Sequence, residues 1–138
     1  RHGNLDGAME QYRQAIALQP ASVAHRALGH AYYRKGRKSE TALEYAKALE
    51  LDPENSESHN ETGIVLMETG RHDLAVDHFL QAVELVPDNP ELRYNLAMAL
   101  RKNNRIPEAV EQLQIAVRLD PSQAVFRSAL QRLAEEEK

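Results

Sequence analysis

Ala48-Leu49-Glu50-Leu51-Asp52-Pro53 is one of four copies of a single helix ending, and the spacing of the copies decides the fold. The others are Ala15-Ile16-Ala17-Leu18-Gln19-Pro20, Ala82-Val83-Glu84-Leu85-Val86-Pro87 and Ala116-Val117-Arg118-Leu119-Asp120-Pro121. The prolines recur after 33, 34 and 34 residues (53−20, 87−53 and 121−87). A fixed period of this size predicts a stacked array of helical units, because one short unit cannot bury its apolar face alone and must lay it on a neighbour.

Outward from each proline, every unit divides into two helical patterns. In the first complete unit Ala24, Leu28, Ala31 and Tyr32 recur at three- and four-residue spacing, Gly36 breaks the pattern, and Ala42, Tyr45, Ala48 and Leu49 follow on a second helix. The next unit repeats this with Gly63, Leu66 and Met67, a break at Gly70, then Ala75, Phe79, Ala82 and Val83. In the third, Leu96, Ala97 and Leu100 lead to Asn103-Asn104, where an asparagine is expected to take the left-handed role that glycine plays elsewhere. Asn89-Pro90 reads as a helix cap followed by a first-turn proline, and Pro107 sits in the first turn of the next helix. Arg37, Arg71 and Arg105 recur after the first helix of each unit and read as solvated cations rather than a ligand ladder.

Composition narrows the function classes. The chain is 42% hydrophobic, enough for a real core, but only 5% aromatic, so that core must rest on Leu, Ala, Val and Ile. A net charge of −4 argues against general nucleic-acid binding, since attraction to phosphate supplies most non-specific affinity. No apolar run approaches the roughly 18 residues that span a bilayer. With no cysteine there is no disulfide, thiolate metal site or cysteine nucleophile. That absence suits the cytoplasm and leaves the periplasm open.

Motifs for chemistry are missing. The glycines are single and form no phosphate loop, and no paired-histidine or calcium-loop spacing occurs. His25 and His59 are 34 residues apart, so repetition explains them without a metal, while His72 and His78, six apart, do not share a helix face. Ser39, Ser56 and Ser122 fall at turns or helix starts, where capping explains them. No catalytic residue, metal or cofactor is expected.

The units resemble tetratricopeptide (TPR) repeats. The first complete one reads His25-x-x-Leu28-Gly29-x-x-Tyr32, Thr41-x-x-x-Tyr45, Ala48 and Pro53; the second His59-x-x-Thr62-Gly63-x-x-Leu66, Ala75-x-x-x-Phe79, Ala82 and Pro87. The third reads Arg93-x-x-Leu96-Ala97-x-x-Leu100, Ala109-x-x-x-Leu113, Ala116 and Pro121. Ala8-x-x-x-Tyr12, Ala15 and Pro20 match only a second helix, and Phe126, Leu130 and Leu133 a single closing first helix. His25, His59 and Arg93 depart from the large aromatic that opens the family pattern, Thr41 and Thr62 replace Ala and Leu, and the 33-residue spacing implies one residue lost between Pro20 and Gly29.

The resemblance implies an all-α, right-handed superhelical solenoid of antiparallel helix hairpins. The whole of 1–138 would be one array: a second helix of a partial repeat (1–20), repeats at 21–54, 55–88 and 89–122, and a capping helix (123–138). Gly29, Gly63 and Ala97 would let the two helices of a hairpin approach beside Tyr45, Phe79 and Leu113. The first helices would line a groove that takes a peptide or protein partner. Carried over residue by residue, the groove falls on Arg26, His30, Tyr33 and Arg34, on Asn60, Glu61, Ile64, Met67 and Glu68, and on Tyr94, Asn95, Met98, Arg101 and Lys102. Tyr33, Ile64, Met67, Tyr94 and Met98 would form one apolar stripe, with Tyr32 turned to the core.

A clamp for a peptide's terminal carboxylate, found in chaperone-binding members, would use Arg26 and His30, but Glu61 and Glu91 fall where Asn and Lys are wanted. The reading is thus a non-enzymatic scaffold or adaptor that binds protein, with neither nucleic acid nor membrane as partner. Two alternatives stay open: an accessory region of a larger enzyme such as a glycosyltransferase or sulfotransferase, and self-assembly through the unpaired N-terminal helix.

Overall fold

The computed structural model describes residues 2–18 and 21–138; the turn expected at Pro20 and the packing expected of Ala15 lie outside what it describes. Among the described residues eight helices run in order: α1 (His2–Leu18), α2 (Ser22–Arg34), α3 (Lys38–Leu51), α4 (Ser56–Glu68), α5 (His72–Leu85), α6 (Pro90–Lys102), α7 (Ile106–Leu119) and α8 (Ala124–Glu137). No strand occurs among the described residues. α2–α3, α4–α5 and α6–α7 form hairpins, and each hairpin packs on the next, giving an all-α solenoid.

Both kinds of turn follow from local chemistry. Within hairpins, Gly36 (φ 76°), Gly70 (φ 80°) and Asn104 (φ 61°) take the left-handed conformation, so the glycine role expected of Asn103-Asn104 falls to Asn104. Each turn closes with the same long bond: the amides of Arg37, Arg71 and Arg105 donate to the carbonyls of Tyr32, Leu66 and Leu100, at 3.0, 2.8 and 2.8 Å. The three arginines thus start the second helices. Arg37 and Arg105 pair with Glu40 and Glu108 one turn on, which holds Glu108 below the usual carboxylate range, chiefly through the hydrogen bond from Arg105. Between hairpins, Asp52, Val86 and Asp120 leave the helical region (φ −143°, −135° and −143°; ψ 79°, 78° and 84°), as the proline that follows each of them favours, and this ends α3, α5 and α7. Asn55 and Asn89 then cap α4 and α6 by accepting from Ser58 N, and from Glu91 N and Leu92 N.

The core runs without interruption from α4 to α8, built on Phe79, Leu96, Ala97, Leu100, Leu113 and Leu133. A smaller cluster of Met9, Leu28, Ala31 and Tyr32 joins α1 to α2. The hairpins close on matched pairs of small and large residues. A methyl group on Gly29 would lie 2.5 Å from the Tyr45 ring, and one on Gly63 2.6 Å from Phe79. Where the third hairpin carries Ala97 instead, the facing residue is the smaller Leu113, and both are fully buried.

The polar departures from the repeat pattern are all satisfied. Thr41 and Thr62 are buried, and their hydroxyls donate to the carbonyls of Arg37 and Ser58. Arg93 donates to the carbonyl of Pro87 six residues earlier (3.1 Å) and to Gln112 on the second helix (3.0 Å). His59 holds the carbonyl of Pro53 through Nε2 (2.8 Å) and meets His78 through Nδ1 (3.1 Å), while His25 meets Glu44 at 2.8 Å. A polar staple between turn and hairpin replaces the aromatic at this position.

The His59–His78 contact makes stability depend on pH. A carbonyl only accepts, so His59 Nε2 carries a proton, and its Nδ1 accepts from Nδ1–H of His78. Burial lowers the His78 pKa below the ordinary 6.5, and His59 lowers it further. The unfolded chain then binds more protons than the folded one as pH falls below 6.5, so the His78 contribution is complete above that value and is lost below it. We expect Tm to fall between pH 7.5 and 5.5, and to fall less in His78→Gln, which copies Gln112 of the next repeat. Equal pH slopes in the two proteins would contradict this.

The first and last described helices differ in their exposed faces. On α1, Met9 is buried and Ala8 and Tyr12 are half-buried, whereas Asp6, Gly7, Glu10, Gln11, Arg13 and Gln14 are exposed. The side chains of Leu5, Ala15, Ile16, Ala17 and Leu18 lie outside those described, so the self-assembly reading of this helix stays a proposal. α8 buries Phe126, Ala129 and Leu133 and turns Arg127, Ser128, Gln131 and Arg132 to solvent.

Candidate functional site

Side chains of α2, α4, α6 and α8 reach one another across successive repeats. Contacts join residues 31 and 35 apart: Arg26 to Glu57 and Glu61, His30 to Glu61, Tyr33 to Glu68, Asn60 to Asn95 and Arg101 to Glu136. Among the described residues no hydrogen bond or ion pair joins α3 to α5 or α5 to α7. The first helices are therefore the closely spaced inner row, and their shared face is the candidate site.

The first two repeats meet there in an ion network. Glu61 accepts Nε of Arg26 on one oxygen (2.7 Å) and Nε2 of His30 on the other (2.8 Å), while Nη2 of Arg26 reaches Glu57 at 2.6 Å. The hydrogen bond to Glu61 leads the causes that raise the Arg26 pKa further. Tyr33 donates to Glu68 at 2.7 Å, which raises its pKa, and Lys38 lies 3.7 Å from the same carboxylate. Arg26 and His30 are thus both held by Glu61, and neither is a free cation for a peptide's terminal carboxylate.

Towards the middle the face is less polar. Ile64, Met67, Tyr94 and Met98 are half-buried and rest on the core. Ile64, Met67 and Met98 line one cleft of about 210 Å³, together with Glu68, Phe79 and Asn95. Tyr33 and Ile64 line a second, of about 240 Å³, with His30, Tyr45, Glu61 and Val65. The Tyr94 ring also packs against Phe126 at 5.4 Å, and the two line a further cleft with Glu91, Asn95 and Val125. Asn95 donates to Asn60 at 2.9 Å, placing an amide pair between the ionic and apolar parts. Tyr32 is buried as expected, under the guanidinium of Arg37 at 5.1 Å.

Arg34 and Lys102 are exposed at the ends of α2 and α6 and join no contact with the others. Arg101 is drawn to Glu136 of α8 (3.1 Å), beside a cleft of about 220 Å³ that Met98 and Arg132 also line. Sequence reading passed over Glu57, Glu136 and Arg132 as groove residues. The 35-residue offset between Arg26 and Glu61 was the available signal, but it carries meaning only once the displacement of one repeat on the next is known.

Among the described residues no group of three or more His, Asp or Glu is placed to hold a metal ion, and no helix is long and apolar enough to cross a membrane.

Comparison with known proteins agrees with this architecture. No curated protein sequence matches the chain. In superposition, the MamA RS-1 ArsTM double mutant gives a TM-score of 0.91 at 20% identity, covering 100% of this chain and 78% of that one. YrrB, described as a TPR protein with an unusual peptide-binding site, gives 0.88 at 26% identity, covering 98% and 70%. The first TPR of Spaghetti (RPAP3), bound to the HSP90 peptide SRMEEVD, gives 0.78 at 16% identity, covering 83% and 91%. A sequence profile of the tetratricopeptide repeat matches residues 27–90 and 60–124, and a second TPR-repeat profile matches 1–36. With these matches spanning most of its length, the chain belongs to the tetratricopeptide-repeat family.

Proposed function

We propose that this chain is a protein-interaction module that takes a peptide or protein segment along the inner face of α2, α4 and α6, and that it does no chemistry of its own. The observation that carries the reading is the adjoining, half-buried set of Ile64, Met67 and Met98 in one inner-face cleft. Adaptable Met side chains with aromatic neighbours are favoured where a surface must bury a partner's apolar anchors. The ion network of Arg26, Glu57 and Glu61 flanks this patch and would set the register of the bound segment. The peptide-binding site described for YrrB supports the same use of the fold. The net charge of −4 favours protein over nucleic acid as the partner.

Peptide-display selection on the purified array tests the reading, run beside a Met98→Glu variant shown to be folded by circular dichroism. We expect an enriched consensus on the parent, with at least about tenfold weaker binding to the variant, since a buried carboxylate must be desolvated. Undiminished binding to the folded variant would count against the groove.

A further inference from the structure

We infer that the cleft between α2 and α4 is the anchor pocket of this groove, and that it selects an aromatic side chain with a hydrogen-bonding edge, of the tyrosine or tryptophan kind. The inference rests on the groove reading above and adds the chemistry of the ligand.

The cleft encloses about 240 Å³ and is lined by Tyr33, Tyr45, Ile64 and Val65, with His30 and Glu61 at its polar side. An apolar cavity of about 150 Å³ already accepts benzene, so an aromatic ring fits. Tyr45 forms the floor. It is 3% exposed, its ring lies against Gly29, and the His30 ring meets it edge-on at 5.6 Å.

Its hydroxyl has no hydrogen-bond partner among the described residues, although no side-chain oxygen sealed from solvent lacks one. The phenol oxygen is therefore not sealed from solvent, and the cleft that Tyr45 lines is where we place its opening. The nearby polar groups are already engaged: Glu61 by Arg26 and His30, and the Tyr33 hydroxyl by Glu68. Burial heads the causes that raise the Tyr45 pKa, so the phenol stays protonated and offers both a donor and an acceptor.

In the free protein water can meet this group. A wholly apolar anchor would expel the water and leave the hydroxyl unpaired, whereas a ring with a polar edge restores the bond. The equivalent positions of the other hairpins are Phe79 and Leu113, so the polar floor distinguishes this one repeat.

The test titrates 4-methylphenol and toluene, mimics of tyrosine and phenylalanine side chains, while following the methyl resonances of Ile64 and Val65. We expect saturable shifts with 4-methylphenol at about tenfold lower concentration than with toluene. Tyr45→Phe keeps the ring that packs on Gly29 and should bring the two within about twofold. No saturable shift, or a preference unchanged in Tyr45→Phe, would overturn the assignment. A peptide consensus lacking Tyr and Trp would overturn it too, while leaving the groove reading standing. Binding of 4-methylphenol with no enriched peptide would support the pocket and count against the groove reading alone.

Discussion

Gly63→Leu should lower the unfolding free energy by about 1–3 kcal/mol, towards the upper end, because overpacking in a dense interior displaces both partners. The space is not there to take: even a methyl group at this position would lie 2.6–2.8 Å from three atoms of the Phe79 ring, and that ring is itself buried. Gly63→Ala tests the same contact more finely. In an open helix it would add up to about 1 kcal/mol of propensity, so any net loss reports the clash. The third hairpin supplies the remedy, since it pairs Ala97 with Leu113. Gly63→Ala combined with Phe79→Leu should therefore lose less than the two single changes summed. Urea unfolding followed by circular dichroism measures all three. An unshifted midpoint for Gly63→Leu would mean that the hairpin is looser than its geometry.

Leu96→Ala is expected to lose about 2–5 kcal/mol, the range for deleting a large aliphatic side chain that cannot be replaced by collapse. Leu96 is fully buried in the middle of α6 and lies in the cluster that runs from α4 to α8. In a stacked array each unit is stable only through its neighbours, so the loss should spread to the interfaces on both sides and broaden the transition. Leu43→Ala is the control: that side chain is 56% exposed, and its removal should change stability by no more than about 0.5 kcal/mol. Similar midpoints for the two variants would contradict a core centred on α6.

What was legible in the sequence was what repeats locally. The prolines, the Gly36 and Gly70 turns and the Gly63–Phe79 complementarity act over short spans or within one hairpin, so spacing alone exposes them. Even the replacement of glycine by Asn104 could be read, because few other residues tolerate a left-handed φ. The joining of Arg26 to Glu57 and Glu61 was not legible, since it depends on how far one repeat is shifted on the next. The packing of Phe126 of α8 on the Tyr94 ring was likewise not legible, since it depends on where α8 settles against α6. His59 and Arg93 stood out as departures, but their purpose rests on carbonyls of the preceding turn that only the folded chain brings near. Tyr45 was read as core, and its ring is core. That its hydroxyl is not sealed from solvent depends on the tilt of one side chain.

The most direct test of the central claim is methyl-resolved NMR of the array titrated with a peptide from the selection. The inner-face methyls of Ile64, Met67 and Met98 should shift saturably, while the exposed Leu43, Leu74 and Leu80 of the second helices stay unmoved. Shifts confined to Leu43, Leu74 and Leu80, with Ile64 and Met98 unchanged, would place the partner on α3 and α5 and contradict the account.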